Sequence, residues 1–245
     1  MNFKGKKILI TGAASGIGNA CATAFAEAGG TVILTDINEA AGEAAAKALP
    51  GAYFMKLDVT SREDCNALAE RVEKELGGLD ILVNAAGWDI IEPFMQNTPE
   101  YWDKIMAINF MGPVQLTRAM LPMLMAAPDG ARIVNIASDA GRVGSYGESV
   151  YAGAKGGIIA FTKSIAREVV RKGVLVNCVC PGPTDTPLFA SQSDKMREAL
   201  TNAIPLKRVA KPSEVADGVL YFASGRATFV TGQVLSVSGG LTMVD

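Results

Sequence analysis

The sequence contains no histidine. This absence excludes Ser-His and Cys-His nucleophile systems and any metal site built on imidazole, because all of them need that side chain. Proton transfer must therefore depend on tyrosine, lysine, aspartate, glutamate or cysteine. We expect no metal site.

The cysteines are too few and too scattered for a disulfide framework, with only four in the chain. Cys178 and Cys180 alternate with Val179 as residues on one face of a strand do. We interpret both as core thiols and not as a metal-binding pair. Cys21 and Cys65 are far from any second cysteine in the sequence.

Clustered basic residues and long apolar runs are also missing. The 23 basic and 25 acidic side chains leave a formal net charge of −2, without the basic cluster that a nucleic-acid partner calls for. No apolar run approaches the length of a membrane span. Residues 1–4 lead straight into a strand-like segment, so we expect no signal peptide and a cytoplasmic location.

Strand-like and helical segments alternate along all 245 residues. Without a linker or repeat, this alternation predicts one α/β domain over residues 1–245, a Rossmann-type doubly wound fold with a seven-stranded parallel sheet flanked by helices. Residues 139–149 are predicted to form a glycine-rich loop. Residues 184–210 are predicted to form a substrate flap, mobile where the polar segment 190–203 shows weak periodicity.

Three glycines, Gly12, Gly16 and Gly18, cluster between the first predicted strand and helix. Glycines there permit a tight turn, close approach of a pyrophosphate and close packing of the helix on the sheet. The free N–H groups at the helix start hold phosphate charge. The spacing G-x-x-x-G-x-G differs from the standard G-x-G-x-x-G, but it still predicts a dinucleotide site.

Asp36 ends the second predicted strand, eighteen residues after this glycine turn. A carboxylate there suits hydrogen bonds to the 2′ and 3′ hydroxyls of a ribose and repels a 2′-phosphate. Ala13, Ala14 and Ile37 supply no arginine for that phosphate. We therefore favour NAD(H) over NADP(H). The alternative role for Asp36 is a helix N-cap, for which Asn38 is the better candidate.

Tyr151 and Lys155 are four residues apart on a predicted helix and so lie on one face. An ammonium favours phenolate, so we expect Lys155 to lower the tyrosine pKa toward neutrality. Ser138 ends the fifth predicted strand, thirteen residues earlier. Asn109 lies in an apolar helical run that Gly112-Pro113 should kink or interrupt; it is either buried with partners or solvated.

Together, these motifs resemble the short-chain dehydrogenase/reductase pattern. The matching segments occur in order along the whole chain: Thr11-Gly12-x-x-x-Gly16-x-Gly18, Asp58-Val59, Asn84-Ala85-Ala86-Gly87, Asn109, Ser138, Tyr151-x-x-x-Lys155 and Pro181-Gly182. The resemblance implies an NAD-dependent oxidoreductase that interconverts a secondary alcohol and a ketone, with a small-molecule substrate and a homotetrameric assembly. Ala85 departs from the pattern, which usually has a second asparagine there; we expect local adjustment and retained activity.

The resemblance also implies a role for each matching position. Tyr151 would exchange a proton with the substrate oxygen, and Lys155 would lower its pKa and bind the nicotinamide ribose. Asn109 would hold a water that links Lys155 to solvent, and Asp58 would lie at the adenine ring. The implied catalytic residues are Ser138, Tyr151, Lys155 and Asn109. The implied cofactor contacts are Gly12, Ser15, Gly16, Ile17, Gly18, Asp36, Ile37, Asp58, Val59, Asn84, Ala85, Ala86, Gly87, Tyr151, Lys155, Pro181, Gly182, Thr184 and Thr186.

Substrate preference is less constrained, because this fold hosts many substrates. Residues 87–90, 136–144, 180–186 and 232–243 resemble 2-hydroxycyclohexanecarboxyl-CoA dehydrogenases, an NAD-dependent group, which favours a cyclic or a 2- or 3-hydroxyacyl-CoA substrate. The implied pocket wall is Trp88, Asp89, Ser145, Tyr146, Leu188 and Phe189. Two alternatives stay open: an NADPH-dependent 3-oxoacyl-thioester reductase and, more remotely, a non-catalytic cofactor-sensing protein.

Overall fold

Seven parallel strands form a single sheet in the computed structural model, which describes residues 1–244. The strand order is β3-β2-β1-β4-β5-β6-β7. The bounds are β1 Lys7–Thr11, β2 Thr31–Asp36, β3 Tyr53–Lys56, β4 Ile81–Asn84, β5 Ala131–Ile136, β6 Val174–Pro181 and β7 Val234–Val237. The predicted fold class is confirmed: a single α/β domain with a parallel, doubly wound sheet.

Helices connect the strands on both faces of the sheet. Their bounds are α1 Gly16–Glu27, α2 Glu39–Lys47, α3 Arg62–Leu76, α4 Pro99–Met106, α5 Gly112–Ala126, α6 Ala140–Val143, α7 Ser149–Val169, α8 Pro187–Ala190, α9 Asp194–Ala203 and α10 Pro212–Ala223. Short 3₁₀ turns span Phe94–Gln96 and Val170–Lys172. Within residues 1–244, no helix is both long and apolar enough to span a bilayer.

The core has two layers, one on each face of the sheet. Ile8 and Ile10 of β1 belong to a cluster with Phe25 of α1. Leu9, between them, belongs to the opposite cluster with Leu116 of α5. This division explains the nearly continuous apolar strands, since a parallel sheet covered on both faces needs apolar residues at every position. Cys178 and Cys180 are buried in one small cluster behind β6, as core thiols.

The predicted interruption between α4 and α5 is a π-helical turn, Ala107–Met111. Asn109 lies in this turn, and Gly112 and Pro113 follow it at the start of α5. A π turn holds one more residue than an α turn and often occurs at functional sites. The interruption is therefore confirmed, although its form differs from a simple proline kink.

Two segments are more regular than the sequence predicts. The expected loop 139–149 contains the short helix α6. The polar segment 190–203 is mostly helical, because Ser193 accepts a hydrogen bond from the Met196 N–H at the start of α9. Its weak apolar periodicity reflects high exposure, since none of its helical residues is buried.

Candidate active site

A cavity of about 1170 Å³ opens at the carboxyl ends of the strands. Strand order reverses between β1 and β4, and this reversal is the place where open α/β sheets bind ligands. One end of the cavity reaches Asp36 and Asp58, and the other reaches Tyr151 and Phe189. A single continuous space thus joins the predicted cofactor contacts to the predicted catalytic residues.

The glycine turn closes one wall of this cavity by direct backbone packing. Gly12 has φ +64°, and a Cβ there would lie 2.8 Å from the Ala86 Cα. A Cβ on Gly18 would lie 2.2 Å from the Gly12 carbonyl oxygen, so α1 starts directly against the turn. A Cβ on Gly16 would lie 3.3 Å from the Thr186 methyl carbon and narrow the space before the helix N-terminus. The cradle therefore fits a pyrophosphate held by backbone N–H groups.

Thr11 connects β1 to the segment after β4. Its Oγ1 accepts hydrogen bonds from the N–H groups of Ala85 and Ala86, both at 2.9 Å. These bonds fix the backbone where a flat ligand would lie. Ala85 stands where the family pattern usually has an asparagine. Thr11, on the neighbouring strand β1, orders the backbone at this position through its hydroxyl.

Asn84 does not line the cavity, although the sequence places it among the cofactor contacts. Its Nδ2 donates to Asn135 Oδ1 at 2.8 Å and to Thr117 Oγ1 at 3.2 Å. Asn135 in turn donates to Thr162 at 2.9 Å. The buried side chain therefore links β4, β5, α5 and α7 from behind the site.

Asp36 ends β2 at the far end of the cavity. Its Oδ2 accepts the Ala14 N–H at 3.1 Å and its Oδ1 accepts the Asn38 N–H at 2.9 Å. Each oxygen keeps a second lone pair for a ribose hydroxyl. Among the described residues that line the cavity, the basic ones are Lys104 and Lys155, which belong to the Tyr151 end. This end is therefore acidic and fits an unphosphorylated ribose.

Asn38, and not Asp36, is the N-cap residue of α2. It caps α2, and its side chain accepts the Ala41 N–H at 3.2 Å. Asp58, also on the cavity wall, accepts hydrogen bonds from the N–H and hydroxyl groups of Thr60. Asp36 is thus left to face the cavity as a carboxylate.

Ser138, Tyr151 and Lys155 meet at the opposite end of the cavity. Ser138 follows β5, where its Oγ accepts the Ala140 N–H at 3.1 Å, and it lies close enough to Tyr151 to affect the pKa of the phenol. Lys155 is 3% exposed, and its Nζ donates to the Ile136 carbonyl oxygen at 3.0 Å. The same Nζ lies 5.6 Å from the centre of the Tyr151 ring. Ser138, Tyr151 and Lys155 thus line the same end of the cavity.

Burial shifts the pKa values of Tyr151 and Lys155. Desolvation raises the pKa of Tyr151, the negative charges of Glu148 and Asp89 raise it further, and the Ser138 hydrogen bond opposes them. Burial also lowers the pKa of Lys155 to about 8. The expectation that the Tyr151 pKa lies toward neutrality is therefore wrong for the protein alone, because desolvation and two carboxylates raise it.

Asn109 is completely buried and does not line the cavity. Its Nδ2 donates to the carbonyl oxygens of Trp88 at 2.7 Å and Ile105 at 3.1 Å, and its Oδ1 accepts the Trp88 N–H at 3.2 Å. Its side chain therefore holds the segment after β4, and the solvated alternative is wrong. A Cβ on Gly87 would lie 3.1 Å from Asn109 Oδ1 and 3.5 Å from Lys155 Nζ.

The remaining cavity wall carries apolar and acidic side chains. Of the implied pocket residues, Tyr146 is 80% exposed and lies outside the wall. Sequence reasoning missed Glu148, which lines the cavity directly before α7, three residues ahead of Tyr151. It also missed Lys104, whose Nζ lies 3.7 Å from the centre of the Trp88 ring. The implied residues on the wall are Gly12, Ser15, Gly16, Ile17, Gly18, Asp36, Ile37, Asp58, Val59, Ala85, Ala86, Gly87, Trp88, Asp89, Ser138, Ser145, Tyr151, Lys155, Pro181, Gly182, Thr184, Thr186, Leu188 and Phe189.

A family model described as Enoyl-(Acyl carrier protein) reductase matches residues 12–242. The chain belongs to the short-chain dehydrogenase/reductase family. Members of this family are oxidoreductases that use a nicotinamide cofactor. The cavity fits that chemistry, since the glycine cradle and Asp36 suit a dinucleotide and an ionisable phenol, Tyr151, lines the opposite end.

Named relatives cover the full length of the chain. It is 40% identical to the 3-oxoacyl-(acyl-carrier-protein) reductase of Vibrio cholerae over 245 residues, 100% of both chains. Identity to the enzyme of that name from Thermotoga maritima is 38%, covering 99% of this chain and 100% of the relative. The corresponding Escherichia coli reductase is 37% identical over 100% of both chains.

Proposed function

We propose that this short-chain dehydrogenase/reductase reduces a 3-oxoacyl thioester to the 3-hydroxyacyl thioester with NADH, a reaction that is reversible in principle. The observation that carries the proposal is the continuous cavity between Asp36 and the group Ser138, Tyr151 and Lys155. Three relatives that match this chain over nearly its whole length are named 3-oxoacyl-(acyl-carrier-protein) reductase. These names support a 3-oxoacyl thioester as the substrate.

The chain's own residues bind and orient the reactants and supply one proton. The cofactor, when bound, supplies the hydride. Ser138 donates a hydrogen bond to the ketone oxygen, and Tyr151 donates its proton to that oxygen as the carbonyl becomes an alcohol. A raised pKa keeps the phenol protonated at neutral pH, which favours its role as an acid in the reducing direction. Lys155, held at the Ile136 carbonyl, orients the ribose.

Asp36 supports NADH over NADPH. A 2′-phosphate would place negative charge beside this carboxylate and near Asp58 on the same acidic wall. Initial rates with NADH and NADPH, using acetoacetyl-CoA as substrate, test the choice. We expect at least a tenfold higher kcat/KM with NADH, and Asp36→Ala should reduce that ratio. A tenfold preference of the unaltered protein for NADPH would contradict the proposal.

A second candidate is oxidation of an alicyclic hydroxyacyl-CoA. Trp88, Leu188 and Phe189 form an apolar part of the wall that could hold a saturated ring. The resemblance of residues 87–90, which include Trp88, to 2-hydroxycyclohexanecarboxyl-CoA dehydrogenases supports it. NAD⁺ reduction with 2-hydroxycyclohexanecarboxyl-CoA and 3-hydroxybutyryl-CoA distinguishes the two candidates by kcat/KM.

The proposed assembly is a homotetramer. Exposed apolar side chains at Met106 and Met111, beside the α4–α5 junction, and at Leu235 on the edge strand β7 support interfaces there. Light scattering of the purified protein should give four times the chain mass. A monomeric mass would contradict the assembly without affecting the proposed reaction.

A further inference from the structure

Two carboxyl groups, Asp89 and Glu148, meet on the wall of the substrate end of the cavity. Asp89 belongs to the segment after β4, and Glu148 directly precedes α7. Gly147 joins these segments: its carbonyl accepts the Glu92 N–H at 2.9 Å. A Cβ on Gly147 would lie 2.8 Å from a methyl carbon of Ile91, so the segments pack too closely for any larger residue. The backbone therefore forces the two acids together.

The hydrogen bonds of Asp89 are incomplete. It is 6% exposed, and its Oδ1 accepts the Tyr101 hydroxyl at 2.8 Å. Its Oδ2 is buried and receives no N–H or O–H donor from the described residues. Asp89 and Glu148 also lie close enough for each carboxyl to affect the pKa of the other. Like charges this close repel, so the loss of a proton from one carboxyl disfavours its loss from the other.

The surroundings keep this negative charge close to the reacting centre. Burial raises the pKa of Asp89, and burial together with Asp89 raises the pKa of Glu148 to about 7. Facing groups are Tyr101 on α4, Ser145 before α7, and Tyr151 and Lys155 on α7. Both carboxylates act electrostatically on Tyr151, so any charge bound beside the phenol meets the same field.

We propose that the Asp89–Glu148 pair determines substrate specificity by admitting neutral esters and thioesters and excluding free oxo acids. This inference rests on the proposed ketone reduction. The carboxylate of a 3-oxo acid is two bonds from the reacting carbonyl carbon, so it must lie close to Tyr151 and to the pair. An ester or thioester at the same place carries no charge. Repulsion between the substrate carboxylate and the pair, at about 6 Å and an effective dielectric constant near 20, weakens binding of the acid relative to the ester by about tenfold or more.

Lys104 does not cancel this repulsion. It is a solvent-exposed cation stacked over Trp88, where water and salt screen its charge. Lys155 is buried, with its Nζ 5.6 Å from the centre of the Tyr151 ring, and its single positive charge offsets only one of the two carboxylates. Once both acids are deprotonated, an incoming anion therefore meets a net negative charge.

The test compares ethyl acetoacetate with acetoacetate as substrates for NADH oxidation from pH 6 to pH 8. The double variant Asp89→Asn/Glu148→Gln removes the charge and should raise the kcat/KM of acetoacetate relative to the ester about tenfold at pH 6. In the unaltered protein, the preference for the ester should increase with pH as the pair loses its second proton. In Glu148→Gln that increase should disappear. The control Glu100→Gln, an exposed carboxylate on α4, should behave like the unaltered protein.

Intrinsic differences in ketone reactivity cancel, because the outcome is the change in the ester-to-acid ratio between variants and pH values. An unchanged ratio in a double variant that still turns over the ester would overturn the inference. A ratio independent of pH in the unaltered protein, which needs no substitution, would overturn it as well. One outcome is that the unaltered protein reduces ethyl acetoacetate and acetoacetyl-CoA with an ester-to-acid ratio of kcat/KM that does not change with pH. In that case only the specificity role of Asp89 and Glu148 fails. If it reduces neither, the proposed function fails and this inference fails with it.

Discussion

Gly12 and Ala86 lie so close that a Cβ on the glycine would be 2.8 Å from the Cα of the alanine. Two segments far apart in the sequence thus meet without a side chain between them, at the point where β1 and β4 both end. The floor of the proposed cofactor site depends on this contact.

Gly12→Ala should abolish NADH binding, because the added methyl group must displace the backbone of the Ala86 segment. The matched control is Gly51→Ala: Gly51 has φ +68°, close to the +64° of Gly12, but open space where a Cβ would go. The control should lose only about 1 kcal/mol of stability from backbone strain and should bind NADH normally. Titration calorimetry measures the binding. Normal NADH affinity in Gly12→Ala would show that the contact is not required.

Tyr151→Phe should reduce kcat by at least about a hundredfold, since it removes the proposed proton donor. NADH affinity should stay nearly unchanged, because the ring and Lys155 remain. The control Tyr146→Phe removes a hydroxyl from a residue that is 80% exposed in the preceding loop, and it should retain full activity. Stopped-flow rates and NADH fluorescence titrations separate the two effects. Full turnover in Tyr151→Phe would exclude this phenol as the proton carrier.

Glu148→Gln should shift the pH profile of alcohol oxidation to lower pH. Oxidation needs the phenolate of Tyr151, and the negative charge of Glu148 raises the pKa of that phenol. Removing the charge therefore lowers the phenol pKa, and kcat/KM should rise at a lower pH than in the unaltered protein. The measurement is NAD⁺ reduction with 3-hydroxybutyryl-CoA between pH 6 and pH 10. A shift toward higher pH would contradict the electrostatic assignment.

Asn109→Ala should destabilise the protein by about 2–4 kcal/mol, because it leaves the Trp88 N–H and two carbonyl groups without their partner. Urea unfolding followed by tryptophan fluorescence measures the change. Asn66→Ala, on the exposed face of α3, is the control and should change stability by less than about 0.5 kcal/mol. Equal stability of both variants would mean that the Trp88 segment does not depend on Asn109.

The fold and most of the cavity wall were predictable because they follow from patterns local in sequence. A strand that ends at Asp36 and a helix that carries Tyr151 each place a side chain at the sheet's carboxyl edge from spacing alone. The four-residue interval to Lys155 is a property of one helix.

The sequence is less informative where the partners of a side chain come from distant segments. Asn84 has the sequence context of a cofactor contact, yet Asn135 and Thr117 hold its side chain behind the strand. The pairing of Asp89 with Glu148 spans two loops and depends on the packing of Gly147 against Ile91. The Tyr151 pKa was misjudged for the same reason, since burial is a property of the whole fold and not of helical spacing.

The π-helical turn Ala107–Met111 requires a fixed number of residues between α4 and α5. Deleting one residue here would restore regular α-helical winding and remove the extra residue that the π turn accommodates. Asn109 would then turn away from the Trp88 backbone. Insertions and deletions in this junction should therefore impair the protein. Functional variants should differ there by substitutions and keep the same number of residues.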